Sequence, residues 1–84
     1  MSYEVLLQPR ARKEFLALPA GIAKQIADAF RGMEQNPRSH RAIKLSGVES
    51  YRYRVGDYRI LYEIDDHARK VIVYRIKHRR EAYR

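Results

Sequence analysis

The chain contains no cysteine. A disulfide framework and a thiolate metal site are thereby excluded, and a reducing, cytoplasmic setting is the natural expectation. The opening "MSYEVLLQPRARKEF" has no basic leader followed by a long apolar run, and no stretch reaches the roughly 20 apolar residues of a membrane span. No membrane attachment is therefore expected. The four glycines, Gly21, Gly32, Gly47 and Gly56, stand singly, so there is no phosphate-cradling Walker or dinucleotide loop. His40, His67 and His78 lack metal-ligand spacing, which argues against a zinc or di-metal nuclease; neither a metal nor a small-molecule cofactor is expected. Internal repeats, low-complexity tracts and linkers are also missing. A length of 84 residues fits one hydrophobic core, so residues 1–84 are expected to form a single domain.

Carboxylates are the other shortage. Ten Asp plus Glu face 18 Lys plus Arg, a formal charge of +8, and such a chain seeks polyanions. The excess is uneven: residues 43–84 hold eleven basic and six acidic side chains, residues 1–42 seven and four. The C-terminal half is the expected contact surface. Nucleic acid is the leading partner and an acidic protein the second. An anionic membrane comes third, since no segment pairs a wide apolar face with a basic one.

What is present reads as a sequence of elements. "SYEVLLQ" (2–8) is a short strand stopped by Pro9, which cannot donate to a sheet ladder and often opens a helix. "PRARKEFLAL" (9–18) sets Ala11, Phe15 and Leu18 on one helical face. "AGIAKQIADAFRGMEQN" (20–36) does the same with Ile22, Ile26, Phe30 and Met33, and Asn36-Pro37 closes it. The short Leu18-Pro19-Ala20-Gly21 turn makes the helices an antiparallel pair.

From residue 43 the period changes from 3.6 to 2. "IKLSG" fits a short strand, "SYRYRV" and "YRILYEID" form a hairpin through Val55-Gly56-Asp57-Tyr58, and "KVIVYRIK" (70–77) is a third long strand whose apolar middle suits a central position. The order implies an α+β fold: an N-terminal strand, a helix pair, then three to four strands in an antiparallel sheet with both helices on one face.

The pleat then has a chemical consequence. If the Tyr, Ile and Val side of the hairpin meets the helices, Arg52, Arg54 and Arg59 stand on the open face. "KHRREAYR" (77–84) delivers Lys77, His78, Arg79, Arg80 and Tyr83 to its rim. Such crowding is unfavourable unless an anion sits among the cations, and guanidiniums suit phosphate because they donate two parallel hydrogen bonds. The alternative is a solvated face whose arginines pair with Glu49, Asp57, Glu63 and Glu81.

The residues Leu-Ser-Gly at 45–47, Tyr-Arg-x-Arg at 51–54, Gly-Asp-Tyr-Arg at 56–59 and His-Arg-Arg-x-x-Tyr at 78–83 together resemble the small toxins of the RelE/ParE superfamily. The resemblance covers nearly the whole chain. It implies a ribosome-dependent endoribonuclease that cuts mRNA in the decoding site and is held inactive by a cognate antitoxin. Within the superfamily the second possibility is the ParE branch, which poisons DNA gyrase; a basic RNA-binding module without activity is a third.

Cleaving RNA without a metal needs a base for the 2′-hydroxyl, stabilisation of the phosphorane and a proton for the leaving oxygen. The resemblance implies that basic residues and a C-terminal tyrosine do this. Arg52 and Arg54 match positions where RelE itself carries lysines, Arg59 matches its central arginine, Arg79 a later one and, with a gap, Tyr83 its tyrosine. Arginine stays protonated and cannot serve as a base. Lys44, Arg52, Arg54, Lys77, His78 and Arg80 are accordingly expected to contact RNA. Tyr83, its phenolate favoured by Arg79, Arg80 and Arg84, is the candidate base, with Arg59 and Arg79 stabilising the transition state. His78 is the alternative acid or base, although strand alternation sends it away from Arg79.

Overall fold

The computed structural model describes residues 2–47 and 49–82, with 81 and 82 as backbone only. The elements follow the sequence pattern closely. Strand β1 (Glu4–Leu7) is followed by helices α1 (Pro9–Leu16) and α2 (Ala20–Gln35). Strands β2 (Ala42–Lys44), β3 (Tyr51–Val55), β4 (Tyr58–Asp65) and β5 (Lys70–His78) and a short helix α3 (Arg79–Ala82) complete it. Pro9 occupies the first turn of α1, where its missing N–H costs nothing. Asn36, which precedes Pro37, is forced out of helical geometry to φ −152°, and α2 ends there.

The five strands form one sheet in the order β1-β5-β4-β3-β2. Strands β2 to β5 are an antiparallel meander. The N-terminal strand departs from the expected antiparallel sheet, because β1 pairs with β5 in parallel, Val5 opposite Val71 and Leu7 opposite Val73. Two helices carry the chain from β1 to the far edge, and the meander returns it, so the first and last strands meet with one direction.

The core lies between the sheet and the helices. Ile26 and Met33 of α2 and Ala11 of α1 are buried against Ile60, Tyr62, Val71, Val73 and Ile76. Each large aliphatic buried there is worth about 2 kcal/mol. The Phe15 and Phe30 rings meet at 5.8 Å between the two helices, so the helical stripes read from the sequence are core.

Strand β5 carries one irregularity. Its ladder with β4 shifts between Leu61 and Tyr62: Tyr62 faces Val73, but Leu61 faces Arg75, leaving Tyr74 as an extra residue. This bulge resets the pleat so that Ile76 returns to the core two strand steps after the break.

Two clamps fix the ends of the sheet. Arg38, just after α2, donates Nη1 to Asp66 Oδ1 at 2.9 Å, Nη2 to Oδ2 at 2.7 Å and Nε to the Tyr51 hydroxyl at 3.1 Å. Tyr3 donates its hydroxyl to the same Asp66 carboxylate at 2.7 Å. Beyond the last residue of β1, helix α1 takes over the edge of β5: Glu14 accepts the Ile76 backbone N–H at 2.8 Å and holds the Arg75 guanidinium at 2.9 Å.

Candidate nucleic-acid interface

Register places the cations. Arg54 on β3 is the cross-strand partner of Arg59 on β4, and Arg59 is the partner of Lys77 on β5. Such partners stand about 5 Å apart at Cβ, with their side chains on one face. The three cations therefore form a row across the sheet. Arg52 lies in the next row, opposite Leu61 on one side and Ile43 on the other. Val55, Ile60, Tyr62 and Ile76 point the other way into the core, so the row occupies the face the helices leave open.

Five of the ten carboxylates sit beside cations outside the row. Glu14 holds Arg75, Asp28 holds Arg31, Asp66 holds Arg38, Glu49 holds Lys44 at 3.4 Å and Asp57 approaches Arg79 at 3.7 Å. Among the described residues, Arg52, Arg54, Lys77 and Arg80 form no ion pair with any of them. Arg54 donates Nε only to the Gly56 carbonyl at 3.4 Å, and the enclosed Nε of Arg52 meets no acceptor among the described residues. Like charges directly opposite are unfavourable, so this face gains stability when an anion sits on it.

The hairpin that presents the row is shaped by Gly56, whose φ of +56° lies in the left-handed region that a side chain disfavours. The same turn reaches the C-terminal segment, since the Asp57 carbonyl accepts the Arg79 N–H at 2.6 Å. Arg79 thus stands just past the end of the ladder, beside the hairpin tip, and Arg80 follows it, exposed.

Two expected contacts fall off this face. His78 is the cross-strand partner of Tyr58, meets its ring edge-on at 5.0 Å and lines a recess with Glu14, Leu18 and Ile76 on the helix side. Its Nδ1 accepts the Arg80 N–H at 3.2 Å. Lys44 is the partner of Tyr51, a core residue, and so also stands on the helix side of the pleat. Tyr83 lies outside the described residues, as do Arg84 and the side chain of Glu81.

Comparison with known proteins decides the family. The sequence matches the family described as the ParE toxin of the type II toxin-antitoxin system parDE over residues 5–83. It is 31% identical to toxin RelG of Mycobacterium tuberculosis over 100% of this chain and 99% of that protein. The chain belongs to the RelE/ParE superfamily of type II toxins. The fold agrees: a RelBE toxin-antitoxin complex from Mycobacterium tuberculosis matches with a TM-score of 0.82 at 28% identity, over 93% of this chain and 99% of that one. An archaeal RelE-RelB complex from Pyrococcus horikoshii matches with a TM-score of 0.84 at 26% identity, over 94% and 97%. In this RelE/ParE toxin, no described helix is long and apolar enough to cross a membrane.

The sequence pattern did not reveal Tyr74. Its hydroxyl makes a short hydrogen bond with Ser50 Oγ, and Ser50 Oγ donates to the Tyr62 carbonyl at 3.4 Å. A signal was present in the spacing of the buried β5 residues, Val71, Val73 and Ile76, where a step of three interrupts steps of two and marks a bulge.

Proposed function

We propose that this toxin is a metal-independent endoribonuclease that cuts mRNA in the decoding site of the ribosome, in the cytoplasm, and that a cognate antitoxin restrains it. The observation that carries the reading is the row Arg54, Arg59 and Lys77 with Arg52 beside it, cations without described carboxylate partners in the first, third and last positions.

In this reading Arg52, Arg54 and Lys77 hold the RNA backbone, with Arg80 at the rim. Tyr83 takes the 2′-hydroxyl proton, and the 2′-oxygen attacks the adjacent phosphorus. The bond to the 5′-oxygen breaks and that oxygen takes up a proton from water, leaving a cyclic phosphate and a 5′-hydroxyl. Arg59 and Arg79 offset the charge that builds on the phosphorane. An antitoxin that binds a chain of net charge +8 is expected to bring acidic residues to it. The relatives solved as toxin-antitoxin complexes support such a partner.

Primer extension on a defined mRNA, with and without programmed ribosomes, tests this. Ribosome-dependent cuts that fade in Arg59→Ala support it. An intact message in every lane moves the assignment to inhibition of DNA gyrase, the second reading, which the match to the ParE toxin family favours. A supercoiling assay then decides.

A further inference from the structure

Tyr74 is the aromatic residue of the sheet whose position the core does not explain. The half-buried Tyr3, Tyr53 and Tyr58 pack against the core and Tyr51 and Tyr62 belong to it, whereas Tyr74 does neither. It is the extra residue of the β5 bulge. Its hydroxyl meets Ser50, the residue before β3, while β4 runs between β5 and β3. A side chain that starts on β5 and ends beside β3 cannot stand up from the sheet, since neighbouring strands are about 4.8 Å apart. It must lie along it. The ring then crosses β4, and Tyr74 is only partly buried.

Its surroundings are those of a base-binding surface. Leu61 and Ile43, both outside the core, flank Arg52 on either side in one row, and Ile43 is 50% exposed. Arg75, the next residue along, has its guanidinium turned to Glu14 at the sheet edge, which leaves Arg52 as the cation of that row. A partly exposed aromatic ring beside apolar side chains, next to a line of cations, has the chemistry that single-stranded nucleic acid requires: stacking for the base and charge for the backbone.

We propose that Tyr74 is the stacking platform for one unpaired base of a single-stranded RNA whose phosphates follow Arg52, Arg54, Arg59 and Lys77. This rests on the reading of the open face as an RNA site. Ser50 is a positioning residue: by holding the phenol oxygen it fixes the ring across β4.

The test uses fluorescence anisotropy at low salt with two labelled strands of equal length, a short oligoadenylate and the same backbone without bases. Tyr74→Leu keeps apolar cover over β4 and removes the ring. It is expected to weaken oligoadenylate binding about tenfold and to leave the abasic strand unaffected. Ser50→Ala, which frees the ring, is expected to give a smaller loss in the same strand-selective way. An equal loss on both strands, or no loss on either while the unaltered toxin binds oligoadenylate, overturns the role of Tyr74 and leaves the RNA site standing. Failure of the unaltered toxin to bind either strand overturns the RNA site itself.

Discussion

Arg54 and Arg59 are direct cross-strand partners on β3 and β4, two positive charges facing one another across one ladder step. Lys77 extends the line to β5. A sheet built only for stability would place a carboxylate in this row. Replacing Arg54 by Thr, a good strand former, is expected to raise stability by up to about 1 kcal/mol while weakening RNA binding. Urea denaturation and RNA anisotropy on one preparation check both. A variant that loses stability as well as binding would show that Arg54 serves the fold.

Glu14 has the opposite character. It is contributed by α1 yet satisfies the Ile76 N–H and the Arg75 guanidinium of β5, with both side chains about four-fifths buried, at 21% and 17% exposure. Glu14→Ala is expected to cost about 2–3 kcal/mol and to abolish hydrogen-exchange protection of the Ile76 amide. Glu14→Gln, which keeps an acceptor for that amide, is expected to recover protection but not the full stability. Equal midpoints in all three proteins would contradict the clamp.

The Arg38 clamp predicts a pH dependence. Hydrogen bonds from Arg38 first and from Tyr3 second hold the Asp66 carboxyl at about 2, below its ordinary value of 3.8. The unfolded chain takes up this proton at the higher pH, so the contribution is complete above about pH 4 and is withdrawn as pH falls toward 2. Asp66→Asn is expected to be less stable at neutral pH and to show a flatter acid limb in melting temperature against pH. An acid limb as steep as that of the unaltered protein would assign the acid loss to other groups.

Much of this architecture was legible in the chain. The 3.6-residue spacing of Ile22, Ile26, Phe30 and Met33 gave α2, and the alternation of Tyr51, Tyr53 and Val55 with Arg52 and Arg54 assigned each side chain of the hairpin to its face. Local pattern is blind to partners, however. Nothing in "EVLL" distinguishes a parallel from an antiparallel neighbour, because either register buries Val5 and Leu7. Lys44 and His78, both expected to contact RNA, stand on the helix side, because they pair with Tyr51 and Tyr58. Nor does sequence show which arginines are taken: Arg38 and Arg75 resemble Arg52 until their carboxylates, 28 and 61 residues away, are seen beside them.

Tyr83 carries the proposed base. Tyr83→Phe retains the ring and removes the titrating oxygen, so RNA affinity is expected to persist while ribosome-dependent cleavage slows at least roughly a hundredfold. Single-turnover cleavage on programmed ribosomes measures this. Cleavage at the original rate would transfer the role to another group, with His78 the next to replace.

The row of Arg54, Arg59 and Lys77 is proposed to bind RNA phosphates. The salt dependence of oligoribonucleotide affinity tests it most directly, because each phosphate contact on a single strand adds about 0.7 to the slope of log K against log salt. Arg54→Ala and Lys77→Ala should each lower that slope by about 0.7, and Lys24→Ala, on the exposed side of α2, should leave it unchanged. One slope shared by all three variants and the unaltered toxin would contradict the account.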